Sequence, residues 1–472
     1  MRTFVLKSCA LVMALAASGA LFAAPNDIKP ATVNVPSRVC NINDFGARGT
    51  SIWYDTEAVQ KAIDSCAEQG GGKVVVPAGY YLIGPIFLKA NIQLDLARGA
   101  VLQAAADDAM YHPVDANRRW AGVKNLWPNA DKWLALINVA DDNVAITGEG
   151  TIDGLGATWW ERWRAEARAS GKRGSTNRPR LVFIKDAKNV LIQGVTLTNS
   201  PSFHVVFYNV DGITIDRTRI IAPDYAQNTD AIDPMDSRNI RITRNTISVG
   251  DDHVAIKSVF PLPSGEPAVQ NVYIANNTFL NGRGLSIGSE SSGGVKGVLA
   301  ENNVFRGSMY GIRIKSPRGI GGVVRDVTYR NTKMENVNTP IVLAGYYKGG
   351  PYDPKDIEKA LQEGEFKGGF VLGNQIYPSD ADPVQAYNET KTPYFDDIRF
   401  EKLTSTGAST QAAYIVGTPE KPFTRVVFND VSIKATRGMQ IRNAAVSEHG
   451  LRVTASEGKA TWIEAGGTLE RK

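Results

Sequence analysis

Three short clusters hold the side chains best suited to chemistry: Asn228-Thr229-Asp230, Gly250-Asp251-Asp252 and Arg313-Ile314-Lys315. Asp230 and Asp251 stand 21 residues apart, close to one turn of a coiled chain, which would put them on neighbouring rungs. Three carboxylates brought within two rungs repel one another unless something neutralises or uses them. A fold gains nothing from such a set, so it points to catalysis. Carboxyl pairs cleave glycosidic bonds: one protonates the leaving oxygen and the other activates water or attacks the sugar. In inverting enzymes the pair stands ~6.5–9.5 Å apart, which side chains one or two rungs apart can reach. Lys257, Arg313 and Lys315 would lie in the same column and bind a carboxylated sugar, Arg by its fork and Lys as a point charge. Each cluster alone has a plainer reading. Gly-Asp-Asp is a common turn, and Arg-x-Lys in a strand is usually a solvated face. Asn at a coil start is usually a structural ladder, the reading kept for Asn189, Asn239 and Asn271. The ordered occurrence of all three clusters favours chemistry.

The elements that would position these residues are legible as a repeat. A polar residue or Gly followed by apolar-x-apolar recurs at Asn189-Val190-Leu191-Ile192, Gly212-Ile213-Thr214-Ile215, Asn239-Ile240-Arg241-Ile242 and Asn271-Val272-Tyr273-Ile274. It returns at Val298, Val327, Ile398 and Val426, with earlier copies at Ile92 and Val144. From Val190 the spacings are 23, 27, 32, 26, 29, 71 and 28 residues. Such a period leaves room for three short strands and loops, fewer than a propeller blade needs, and lacks the helix of a leucine-rich repeat. The expectation is an all-β chain wound as a parallel β-helix of about ten coils, its inward positions Val, Ile and Leu. Thr56–Glu68 has helical spacing at Ala58, Val59, Ala62, Ile63 and Cys66 and is expected to cap the open N-terminal end. Insertions are expected near 104–136, near 157–178 with a helix-like run from Trp159 to Ala169, and near 347–390. Long loops on a rigid solenoid usually carry function or wall a cleft.

The 472 residues are 43% hydrophobic and 21% charged, ordinary for a globular protein, and 45 glycines suit a turn-rich β chain. Arg2 and Lys7 precede a nearly apolar run at 8–23, with Ala20, Ala23 and Ala24 before Pro25. Residues 1–24 therefore read as a secretory signal peptide, with 25–472 as one catalytic domain of a secreted protein, periplasmic or extracellular. No later segment has the ~18 apolar residues of a membrane span. Of three cysteines, Cys9 falls in the signal segment. Cys40 and Cys66 remain as an even pair, expected to form a disulfide; the plainer reading is two buried thiols. The formal charge is +5, and removing residues 1–24 takes Arg2 and Lys7 with no acid, leaving +3. That is too weak an excess to argue for nucleic acid. No His/Cys set has zinc spacing, and neither metal nor cofactor is expected.

The four motifs Asn228-Thr229-Asp230, Gly250-Asp251-Asp252, Gly282-Arg283-Gly284 and Arg313-Ile314-Lys315 together resemble the ordered signature of glycoside hydrolase family 28, the polygalacturonases. The resemblance runs from about Cys40-Asn41-Ile42-Asn43-Asp44-Phe45-Gly46 into the C-terminal coils. Gly150-Thr151-Ile152-Asp153-Gly154, Asn199-Ser200-Pro201 and Ser286-Ile287-Gly288-Ser289 fit it locally. It implies a single right-handed, pectin lyase-like β-helix and inverting hydrolysis of α-1,4-linked galacturonate in homogalacturonan, an acidic plant cell-wall polysaccharide, by an expected monomer. It also implies Asp251 as general acid, Asp230 and Asp252 as the groups that position and activate water, and Arg313 and Lys315 on the substrate carboxylate. Asn228, Lys257, Arg283 and His204 complete the expected substrate-binding set.

One position departs from that signature. The third motif of the family reads Gly-His-Gly, and here Arg283 replaces the histidine. Counted from the repeat anchors it aligns with Asp251; counted back from Ser289 and Ser258 it aligns with Asp252. A neighbouring Arg lowers a carboxylate pKa by about 1–3 units, which suits a base and harms an acid. Arg283 is therefore expected to bind a substrate carboxylate and to be partly neutralised by it. Two alternatives follow from the substitution: a pectate-type polysaccharide lyase, and a pectin-binding solenoid without activity. His253 follows the acid pair and, by strand alternation, is expected to face away from a cleft. His204 is balanced between cleft and core. His112 and His449 carry no assigned role. Trp159, Trp160, Trp163, Tyr346 and Tyr347 are candidates for stacking on sugars or for ordinary packing.

Overall fold

The computed structural model describes residues 27–112, 133–171, 177–345, 347, 369–372, 375–378 and 391–472. The proposed signal segment, Tyr346 and most of the expected insertions at 113–132 and 348–390 fall outside them. Within 347–390 a two-stranded antiparallel hairpin is described, Gly369–Leu372 with Gln375–Pro378.

Among the described residues, thirty-three strands hydrogen-bond into one continuous sheet wound on itself. Each middle coil contributes three short strands, as in Arg238–Thr243, Thr246–Ser248 and Val254–Ile256. Every strand pairs in parallel with its counterpart a coil away. The repeat anchors are in register: Val144 pairs with Val190, Val190 with Ile213, and the line continues through Ile240, Val272, Val298, Val327, Ile398 and Val426. Their side chains fill one interior with neighbouring Ile, Leu and Val, all nearly inaccessible to solvent. Period-two alternation selects that face on every strand. Identical positions on successive coils also stack aromatic rings, as in Tyr329, Phe400 and Phe428 at 5.5 and 4.9 Å.

The outward turns hold ladders. Asn189 Nδ2 donates to Asn143 Oδ1 at 2.8 Å and Asn271 Nδ2 to Asn239 Oδ1 at 3.1 Å. Asn189, Asn239 and Asn271 all have φ near 55°, a conformation Asn tolerates better than most residues. A second, fully buried ladder runs from Asn245 to Asn277 to Asn303 and was not apparent from the repeat. Residues 28–34 lie along the coils, where Ile28, Thr32 and Asn34 accept side-chain hydrogen bonds through their carbonyls.

Helix α1 spans Thr56–Glu68 and buries the five residues its periodicity nominates. They join the main core, and Cys66 is bonded to Cys40 with a Cα–Cα distance of 6.1 Å. The bridge ties the first strand, Val39–Asn41, to the capping helix. It closes a separation of 26 residues, for which chain entropy gives about 3.5 kcal/mol. A reductant is expected to lower the Tm of the wild-type chain and leave that of a Cys40→Ala/Cys66→Ala variant unchanged. Helix α2 spans Ala157–Ser170, within the expected insertion.

Candidate active site

All the candidate residues gather where chain enters or runs along one of the three sheet faces. Asp230 ends the loop before strand Ile232–Met235; Asp251 and Asp252 end the loop before Val254–Ile256; Arg283 precedes Leu285–Ile287. Ile232 pairs with Val254 and Val254 with Leu285. Extending that register two residues back puts Asp230, Asp252 and Arg283 level on consecutive rungs. Arg313 and Lys315 point outward from the next strand, Tyr310–Lys315, with Arg313 paired to Ser286.

The glycines of these motifs are steric requirements. A Cβ on Gly250 would lie 2.2 Å from the carbonyl oxygen of Ala226, and one on Gly282, where φ is 151°, would lie 2.5 Å from the His253 ring. Both contacts are far inside van der Waals distance, so the loops carrying Asp230 and Asp251 close together only with glycine there.

One oxygen from each of Asp230, Asp251 and Asp252 lies within 4.8 Å of the others. That bounds the gap between facing oxygens and is a different quantity from the separation between whole carboxyl groups in an inverting pair. Acceptors this close can both bond one water, since an O–H···O bond spans ~2.7–2.8 Å. The three acids differ in their surroundings. Asp252 is 1% exposed; it accepts from Arg313, from Lys315 Nζ at 3.0 Å and from Ser286 Oγ at 3.0 Å. Burial opposes its ionisation, but Arg313 and Lys315 outweigh burial and hold the carboxyl well below the usual range. Asp230 is pushed the other way, by burial first and then by the charges of Asp251, Asp233 and Asp252. Its Oδ1 is buried and has no hydrogen-bond partner among the described residues. Asp251 is the most exposed of the three; its Oδ2 lies 3.4 Å from Arg283 Nη1. Their surroundings thus set Asp230 apart from Asp252: the first favours the protonated carboxyl and the second the carboxylate. Oxygens at these distances could also ligate a cation, but both oxygens of Asp252 and one of Asp251 are already engaged by cationic side chains.

The expected binding residues divide. Arg313 lies over the Tyr310 ring at 4.6 Å and Lys315 over Tyr347 at 5.1 Å, and both also face Asp252. Arg283 keeps a third of its side chain exposed and can meet a ligand. Asn228 Oδ1 accepts from Arg178 at 2.9 Å, so its side chain shapes the loop. Lys257 is not a free substrate cation: it pairs with Glu290 at 3.2 Å and Asp233 at 4.0 Å, inside the protein. Burial disfavours its charge, and Glu290 and Asp233 more than restore it. His204 also departs from the substrate-binding expectation. It is fully buried, with Nδ1 3.2 Å from the Asp230 carbonyl, and burial pushes it down to about 4. It supports Asp230 from behind as a neutral ring. His253 turns inward as expected, its Nε2 facing the Leu280 and Asn281 carbonyls and its ring against Phe279. Trp159, Trp160 and Trp163 are buried at 0, 3 and 6% exposure, so none offers a face to a sugar.

Asp233 escaped the sequence reading. It sits one residue into the strand after Asp230, facing outward, and is fully buried with neither oxygen hydrogen-bonded among the described residues. Burial lifts it to about 8 despite Lys257. Strand alternation from Ile232 would have placed it on the site face; its charge environment comes from other coils. A cavity of about 560 Å³ beside α1, lined by Gln60, Asp64, Phe87 and Lys89, shares no residue with the acids.

The model of glycosyl hydrolases family 28 matches residues 66–356, which contain every residue of this cluster. The chain belongs to that family. It is therefore a glycoside hydrolase. It is 37% identical over 304 residues to an endo-polygalacturonase of Pectobacterium carotovorum subsp. carotovorum, covering 62% of this chain and 72% of that one. A second endo-polygalacturonase, from Pectobacterium parmentieri, is 36% identical over 68% of this chain and 80% of its own. The solved polygalacturonase from Erwinia carotovora ssp. carotovora superposes with a TM-score of 0.64 at 30% identity, over 88% of this chain and 98% of that one. The family supports polygalacturonase activity and fits the right-handed parallel β-helix.

Proposed function

We propose that this family 28 enzyme hydrolyses the α-1,4 bonds of polygalacturonate by single displacement with inversion. The observation that carries the reading is the acid triad within 4.8 Å, flanked by Arg283, Arg313 and Lys315. Arg283, with a third of its side chain exposed, suits a substrate with a carboxylate on every sugar, while Arg313 and Lys315 hold Asp252 beside it. Asp252, kept ionised, and Asp230, with an open acceptor oxygen, would hold and activate one water between them. Asp251, nearest to solvent, would protonate the leaving oxygen. A substrate carboxylate would draw Arg283 away from Asp251 and leave that carboxyl free to face the leaving oxygen.

A lyase needs a cationic side chain that gives up its proton. Arg283 is a poor candidate, because Asp251 raises its pKa further. Proton NMR of a digest in progress tests the reading: the first anomer formed is expected to be opposite to the bond cleaved, with no ultraviolet absorbance from unsaturated sugar. Retained configuration would overturn the single-displacement mechanism, and unsaturated product would overturn hydrolysis. We propose further that the protein is secreted, which the apolar run behind Arg2 and Lys7 and the Cys40–Cys66 bridge support.

A further inference from the structure

The loop 222–231, which delivers Asn228 and Asp230, and helix α2 form one unit. Arg178 donates to the carbonyls of Pro201 and Gln227 and to Asn228 Oδ1, and lies over the Trp163 ring at 5.1 Å. Trp160 Nε1 donates to the Ser200 carbonyl at 3.1 Å, and its ring meets the Tyr225 ring edge-on at 6.1 Å. One residue on, the Ala226 carbonyl accepts from Thr229 Oγ1 at 2.6 Å, and Thr229 Oγ1 accepts from Gly250 N at 3.0 Å. Tyr225 is thus fixed to the frame that holds Asp230 and Asp251.

In contrast to the three buried tryptophans, Tyr225 is 52% exposed. The Arg164 guanidinium lies 4.7 Å from its ring centroid. Among the described residues no carboxylate pairs with Arg164, and its Nε is buried without a hydrogen-bond partner. A half-exposed tyrosine beside a guanidinium with no carboxylate partner among the described residues matches a carboxylated sugar, since C–H faces stack on aromatic rings and a carboxylate meets the fork. The coils stack in chain order, so this pair lies on the opposite side of the acids from Arg313 and Lys315.

We propose that Tyr225 and Arg164 form a remote subsite for one galacturonate residue of the bound polymer, on the N-terminal-coil side of the acids. The subsite rests on the reading of the substrate as galacturonan. It lets a long chain be held by sugars that take no part in the chemistry.

The test is kcat/KM on oligogalacturonates of increasing length, for the wild-type chain and for Arg164→Gln, Tyr225→Ala and Tyr225→Phe. Arg164→Gln and Tyr225→Ala are expected to lose about tenfold on oligomers long enough to reach the subsite, mainly through KM, about 1.4 kcal/mol. The loss should shrink as the oligomer shortens, and Tyr225→Phe should stay close to wild type. Equal losses at every length would mean a structural role and overturn the subsite, as would no loss at any length. A wild-type chain that cuts no oligogalacturonate would overturn the substrate reading and the subsite with it.

Discussion

Asp251→Asn is expected to lower kcat on polygalacturonate by about 10²–10⁴, the usual contribution of a positioned proton donor, with little change in Tm. Asp251 is the cleanest of the three acids to replace. Its side chain is 11% exposed and its partner Arg283 is 33% exposed, so the cation left behind can turn to water. Asp252→Asn would leave Arg313 and Lys315 buried without their counter-charge, a loss of about 3–5 kcal/mol of stability. A dead Asp252 variant therefore says little unless its folding is measured.

The electrostatics sharpen the expectation. Burial and three neighbouring carboxyls push Asp230 upward, whereas the proposed donor is Asp251. An aryl galacturonoside with a good leaving group needs no proton donor. It is expected to recover most of its rate in Asp251→Asn and little in Asp230→Asn. Recovery in Asp230→Asn instead would make Asp230 the donor and Asp251 a carboxylate held by Arg283.

Arg283→Ala is expected to raise KM for polygalacturonate at least about tenfold, about 1.4 kcal/mol, by removing the most exposed cation of the site. Arg283→His is expected to keep or raise kcat, since a histidine bears charge only at lower pH and relaxes the hold on Asp251. Unchanged KM and rate in Arg283→Ala would refute the role.

Much of this arrangement follows from periodicity. The anchors from Val144 to Val426 occupy one register line because inward Val and Ile recur once per coil. Coil spacing then suffices to bring Asp230, Asp251, Asp252, Arg283, Arg313 and Lys315 together. The same arithmetic says little about what those side chains touch. Lys257 looked like a free cation because Glu290 and Asp233, which compensate it, arrive from neighbouring coils. The sequence leaves His204 balanced between cleft and core because nothing local reveals that its ring is packed behind Asp230. The tryptophans of α2 were legible as aromatic but not as buried, since that depends on how the helix lies against 200–228. Tyr225 drew no notice because a lone tyrosine in a loop has no pattern.

The most direct measurement is chromatography of the products from polygalacturonate after incubation with the wild-type chain and with Asp251→Asn. Galacturonate or its saturated oligomers should accumulate with the wild type, one new reducing end per bond cut, and nearly none should form with the variant. If the wild type binds the polymer but releases nothing, or if the variant works as well, the acids gathered at the coil edge are not the machinery of hydrolysis.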